Sequence, residues 1–297
     1  MIASNPRIPY SLSGTQPALP HYNGKRIVVQ FVVNVEHWRF DHPMPRGIST
    51  PPQGRGSVPD IPNFAWAEYG MRVGMRRFFD LFEAMGLPAA LSVNANVIDV
   101  YPDCAEKSLN LGWEFIGHGL YQQAVHTEPD EAAVIEKSLQ RLQAFTGVKT
   151  RGWLGPGLGE SLATPDILKR LGIEYLLDWV LDDRPCLMKT TEGPLLSVPY
   201  TLELNDSTVY AVEKQHTGEF ANRVARTLKA FERETEAGTV IMTVALHPHL
   251  MGVPHRITEL AEMAAMLAQH PDVTFAQPGQ VSSWYEGLAQ TRQAAEA

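Results

Sequence analysis

Cysteine is nearly absent from this 297-residue chain, with Cys104 and Cys186 as its only two. Two thiols cannot build a disulfide framework or a thiolate zinc site, and they fit a reducing compartment. Basic runs are missing as well. Twenty-five Lys and Arg stand against 33 Asp and Glu, a formal charge of −8, and no dense cationic segment is available to neutralise a phosphate backbone, so nucleic acid is not an expected partner. No stretch approaches the roughly 20 apolar residues needed to span a bilayer. The N-terminal MIASNPRIPYSLSGTQP also lacks the charged start and apolar run of a signal peptide. A cytoplasmic protein without membrane attachment is expected.

What is present is a large apolar fraction, 44% hydrophobic against 20% charged, enough for a substantial core and incompatible with a disordered or low-complexity chain. From residue 27 onward, short β-branched runs alternate with helical-period segments. RIVVQFVVNV reads as a buried strand. Residues 41–62 are proline-rich and predict a long loop directly after it. A helix over 66–85 follows, stopped by Gly86 and Pro88. The strand PAALSVNA comes next, then a helix near 97–110, the strand WEFIG, a helix near 129–145 and a strand near 150–154. Thr164-Pro165-Asp166 starts another helix, before IEYLLDW, an amphipathic segment over 217–237 and the apolar strand GTVIMTVALH. A helix near 256–269, the strand VTFA and a terminal helix complete the series. This rhythm, without a central linker, predicts an α/β fold: a single distorted (β/α) barrel of about seven strands, with an open doubly wound sheet as the alternative. The expected layout is an N-terminal extension over 1–26, the barrel over 27–288 and a tail over 289–297.

In a parallel barrel the active site lies where strands end, which singles out the polar residues that directly follow apolar runs. These are Asn34 and Glu36, His118, Asp178 with Trp179, and His247. Each alone is compatible with an ordinary hydrogen-bonded structural role, but they are expected to converge on one rim. Glu68 and Arg72, four apart, read as a surface ion pair. His249 and His255 read as loop or helix-start residues, and Asp182 and Asp183 as loop caps.

Taken in order, VNVEHW, EYGMRVGMRRFFDLFEAMGLPAALSV, WEFIGHGLY, RGWLGP, IEYLLDWVLDD, SVPYTLELND and ALHPHLMGVPHR resemble the NodB-like polysaccharide deacetylase family. The likeness is closest to its branch of cofactor-independent allantoinases and cyclic imide hydrolases, and covers roughly residues 25–288. Deacetylases of that family use one carboxylate as base, a second as metal ligand and an HxxxH pair to complete the metal site. Here Asn34 stands at the base position and Glu36 at the ligand position, and the pair begun by His118 has Gln122 as its second member. A neutral Gln is a poor zinc ligand, and zinc ordinarily takes three strong donors plus water. His126 lies one helical turn further on, but Gly117 and Gly119 argue against a helix starting at His118.

The resemblance therefore implies a metal-free hydrolase that opens a small cyclic imide, hydantoin or ureide, whose ring nitrogen leaves with its charge delocalised into a second carbonyl. Glu36, His118 and His247 are its expected catalytic residues, with His247 as acid. Asn34, Trp38, Gln122, Trp153, Asp178 and Trp179 are the expected substrate-binding residues, although tryptophans in a barrel also serve as core. Leu154 and Leu158 stand in the segment where allantoinases of the branch carry an arginine, which implies a less polar ring. No cofactor is expected. The rival is a zinc-dependent N-deacetylase of an acetylated saccharide, with zinc on Glu36 and His118, and a third reading is a binding protein that kept the barrel and lost its base. The expected partners are a small cyclic amide and further copies of the chain, as a homodimer or homotetramer.

Overall fold

The computed structural model describes residues 3–49 and 56–296, with side chains described as far as residue 288 of the last helix. At its centre is β1 (Ile27–Val35), buried at every position. It pairs in parallel with β8 (Val240–Leu246) along one side. On the other side its first half meets β9 (Val273–Phe275) and its second half meets β2 (Ala90–Val93). The sheet continues through β3 (Glu114–Gly117), β4 (Gly152–Trp153), β5 (Tyr175–Leu176), β7 (Gly193–Ser197) and β6 (Cys186–Thr190). All pairs are parallel except the β6–β7 hairpin at the edge. The sheet curls until the chain beyond β7 reaches β8, where Asn205 bridges Ala245 and Leu204 accepts the Ala245 N–H. An irregular segment thus closes the barrel.

Helices cover the outside: α1 (Ile61–Tyr69), α2 (Met75–Met85), α3 (Val97–Val100), α4 (Pro102–Asn110), α5 (Glu131–Thr146), α6 (Thr164–Arg170), α7 (Glu219–Arg233), α8 (Pro254–Gln269) and α9 (Pro278–Glu296). No helix among the described residues is long and apolar enough to cross a membrane.

Strand side chains alternate between two faces, and this alternation sorts the chain into two cores. Ile27, Val29, Phe31, Val33 and Val35 join the cluster under the helices with Val240, Met242, Val244 and Leu246. Val28, Val32, Ala90, Ile116, Leu154, Tyr175, Leu177, Ile241 and Ala245 fill the barrel interior. Polar residues of the inward set must pair there, and Thr243 Oγ1 donates to Gln30 Oε1 at 3.1 Å. The inward parity of β1, β3 and β8, extended past the strand ends, selects Glu36, His118 and His247.

Among the described residues the sheet has nine strands where about seven were expected. The additional hairpin β6–β7 carries little apolar signal, since much of β6 lies at the exposed edge. The helix expected at 66–85 begins at Ile61 and shortens the proline-rich loop, whose residues 50–55 lie outside the described set. The helix expected at 97–110 is interrupted because Tyr101 precedes Pro102 and takes an extended φ of −132°.

Between α1 and α2 the helix widens into a π turn over Gly70–Gly74. A Cβ at Gly74 would lie 2.1 Å from the Pro248 carbonyl oxygen, and one at Gly70 2.4 Å from the His249 nitrogen. These glycines let the helix press directly on the loop that follows His247. Gly74→Ala should therefore destabilise the protein by about 1–3 kcal/mol, the usual cost of overpacking. A thermal unfolding midpoint equal to the wild type would show that the loop yields freely.

Candidate active site

Glu36 lies one residue beyond the end of β1. Its Oε2 accepts a hydrogen bond from Trp38 Nε1 at 2.7 Å, and its Oε1 lies 3.7 Å from His247 Nε2. Both side chains are less than a tenth exposed. Beneath them Asn34 donates to the Tyr200 hydroxyl at 3.0 Å and to the Leu246 carbonyl at 3.3 Å. Asn34 is thereby committed to holding β1 against β8.

His247 is gripped at two points by Asp206. The backbone N–H of His247 donates to Asp206 Oδ2 at 2.7 Å, and Nδ1 lies 2.6 Å from Oδ1. Asp206 has a side chain with no exposure; burial pushes its carboxyl upward, opposed by the adjacent imidazole. With Nδ1–H engaged, Nε2 is the nitrogen that faces Glu36. The carboxylate, which has no proton to offer as long as it is ionised, fixes the proton on Nδ1 and leaves Nε2 as the nitrogen through which a proton is exchanged on the Glu36 side.

His118 follows β3. Its Nδ1 is hydrogen-bonded to the Leu154 carbonyl, and its Nε2 is buried without a partner among the described residues. Since a carbonyl only accepts, Nδ1 carries the proton and Nε2 presents a lone pair. Burial lowers the imidazole's affinity for a second proton, with Glu36 opposing. Asn94, just beyond β2, ties these ends together by accepting the His37 N–H at 2.9 Å and donating to the His118 carbonyl.

Glu36 opens onto a cavity of about 300 Å³ lined by Trp38, Pro45, Arg46, Gln122, Gln123 and Pro156 among others. Trp38 and Gln122 of the expected binding residues reach it. Trp153 is fully buried. Trp179 donates to Glu160 at 2.6 Å, and Asp178 Oδ1 accepts the Gly155 N–H at 2.7 Å; neither lines the cavity. His126 is exposed. His249 is buried against Trp38 and Trp66, with ring centroids at 5.3 and 4.5 Å, and burial holds it neutral. The Glu68–Arg72 pair forms at 2.7 Å.

Two residues at the site escaped the sequence reading. Asp206 sits in the SVPYTLELND segment, but nothing local distinguishes it from Glu203 as the partner of His247. Arg46 belongs to the proline-rich loop, and its approach to the site depends on how that loop folds back.

The donor set does not suit zinc. Glu36 and His118 are strong donors, Gln122 is neutral, and among the described residues no group of three His, Cys, Asp or Glu could hold a metal ion.

Asp178 and Glu160 are half-buried carboxyls near the loop that carries Leu154 and Pro156. Burial raises both, with Glu160 adding to the rise of Asp178 and Glu131 to that of Glu160: Asp178 goes well above the carboxylate range, Glu160 up to about 7. Asp178 Oδ2 and Glu160 Oε1 lack partners among the described residues. A carboxyl that holds its proton more tightly when folded stabilises most at low pH and loses that contribution as pH rises from its ordinary value to its folded one. Stability should thus fall between about pH 4.5 and pH 7 on account of Glu160. Glu160→Gln should flatten this slope in melting curves, and an unchanged slope would mean that the pair is already solvated.

No protein-family model matches the chain, and no curated protein matches it in sequence. Solved structures do. Puue allantoinase aligns with a TM-score of 0.80 at 23% identity, over 92% of this chain and 95% of that one. A probable polysaccharide deacetylase from Pseudomonas aeruginosa aligns with a TM-score of 0.81 at 24% identity, over 91% and 94% of the two chains. A polysaccharide deacetylase-like structure from Mycobacterium smegmatis gives 0.74 at 21% identity, over 92% and 96%. This chain therefore has the NodB-like β/α barrel fold, shared over nearly its whole length with an allantoinase and with polysaccharide deacetylase-type proteins.

Proposed function

We propose that this protein is a hydrolase of carbon–nitrogen bonds that opens a small cyclic imide, hydantoin or ureide without a metal. The observation that carries the reading is the line Asp206–His247–Glu36: a carboxylate fixing one imidazole nitrogen while the other faces a second carboxylate beside a small cavity. It is a proton-transfer arrangement, and it is supported by the lack of a third strong zinc donor among the described residues.

In the proposed reaction water lies between Glu36 and the lone pair of His118 Nε2. Glu36 takes one of its protons as the oxygen attacks a ring carbonyl. The tetrahedral intermediate collapses, the ring C–N bond breaks, and the nitrogen receives the proton carried by His247 Nε2. Asp206 balances the imidazolium before transfer and keeps the ring oriented throughout. Glu36 then returns its proton to His247, leaving an amide or urea and a carboxylic acid, which ionises to the carboxylate by releasing its proton to water. A delocalised leaving nitrogen suits such a site better than the basic amine expelled from an acetamido sugar, for which a metal ordinarily supplies Lewis acidity.

Incubation with allantoin, hydantoin, succinimide, phthalimide and chitin oligomers tests the substrate class. Ring opening of at least one cyclic amide is expected, and turnover of the chitin oligomers alone would overturn the reading. His247→Gln should lower kcat by roughly 10²-fold or more with little change in KM, as expected for loss of a general acid. Asp206→Asn should lower kcat by a similar factor and also lower the melting temperature, because the same carboxylate fastens the segment after β7 to the end of β8. A folded His247→Gln protein with wild-type kcat would remove His247 from the chemistry.

A further inference from the structure

Attack on a ring carbonyl moves an electron pair onto the carbonyl oxygen, and without a metal some fixed donor must meet that charge. Arg46 is the one cationic side chain among the residues lining the cavity onto which Glu36 opens. It arrives from the proline-rich loop rather than from a strand end. Its Nη1 is hydrogen-bonded to Ser207 Oγ, next to Asp206, and its Nε and Nη2 have no hydrogen-bond partner among the described residues.

The loop is held in place by a buried device. Asn63, in the first turn of α1 and 2% exposed, accepts the backbone N–H groups of Ile48 and Ser49 at 2.8 and 3.0 Å. Its amide nitrogen donates to the Ser49 carbonyl at 3.2 Å and to Asp60 Oδ2 at 2.8 Å. Every hydrogen-bonding atom of this side chain is thus spent on the helix cap and on the two residues that follow Gly47. Arg46 is fixed from one side by this clamp and from the other by Ser207, so its guanidinium is preorganised.

We propose that Arg46 is a catalytic residue, the donor that stabilises the oxyanion formed at the attacked carbonyl and that then holds the carboxylate into which that carbonyl is converted. The inference rests on the proposed cyclic-amide reaction. As the water oxygen bonds to carbon, the π pair moves to the carbonyl oxygen and meets the Arg46 N–H groups. On collapse the pair re-forms the C=O bond and the ring nitrogen leaves.

The test compares wild type, Arg46→Gln and Arg46→Lys on whichever cyclic amide the wild type opens, with melting curves to verify the fold. Arg46→Gln should lose about 10²-fold or more in kcat, in the range for removal of one oxyanion donor, with KM changed far less. Added guanidinium at millimolar levels should restore part of the rate to Arg46→Gln and none to His247→Gln. The ring-opened product, succinamate if succinimide is the substrate, should inhibit the wild type competitively and Arg46→Gln more weakly. Wild-type kcat in a folded Arg46→Gln protein, or loss expressed only in KM without guanidinium rescue, would overturn the assignment. Failure of the wild type to open any ring would instead overturn the reading on which it rests.

Discussion

The Asp206 carboxyl group has no contact with solvent, and a buried carboxyl is tolerated only where donors meet its oxygens. Both oxygens are met by one residue, the backbone and ring of His247. That double bond fastens the irregular segment following β7 to the end of β8, at the seam where Asn205 bridges Ala245. It also fixes which nitrogen of His247 faces Glu36, and it sets Ser207 where Arg46 can reach it. Closure of the barrel and orientation of the imidazole are thus consequences of the same contact. Removing the carboxylate would disturb both.

The rest of the site follows from strand parity. Each strand end extends an alternation that begins deep in the barrel, so that Val28, Gln30, Val32, Asn34 and Glu36 form one inward row and Ile241, Thr243, Ala245 and His247 another. Apolar pairs give way to hydrogen-bonded polar pairs and then, at the rim, to a carboxylate and an imidazole 3.7 Å apart. Placing charged groups there needs no special local geometry. It needs only that the strands keep register, which the pairing of β1 with β8 over seven residues enforces.

This explains what could be read from the sequence. β1 and β8 announce themselves as β-branched runs, and the polar residues at their ends, together with His118 after WEFIG, are legible as rim residues. The hairpin β6–β7 is not, because an exposed edge strand requires no apolar run and the hairpin carries Gly193 and Pro194. β4 and β5 are two residues each, shorter than the motifs that contain them. Asp178 and Trp179 illustrate the limit of strand-end reasoning: they follow β5, but their polar atoms turn to Gly155 and Glu160 beneath the loop rather than to the cavity. Asp206 and Arg46 come from segments without periodicity. Their positions depend on contacts with residues 41 and 161 positions away, which no local pattern encodes.

The proposed chemistry is proton transfer between two carboxylates and an imidazole, with the Arg46 guanidinium meeting the charge that forms on the attacked carbonyl. The most direct test is to dialyse the protein against chelator until no metal is detectable by elemental analysis and to measure hydrolysis of the cyclic amide it opens fastest. The full rate is expected in the metal-free protein, with no increase on adding zinc. A rate that falls in proportion to the metal removed and returns with stoichiometric zinc would contradict the proposed chemistry.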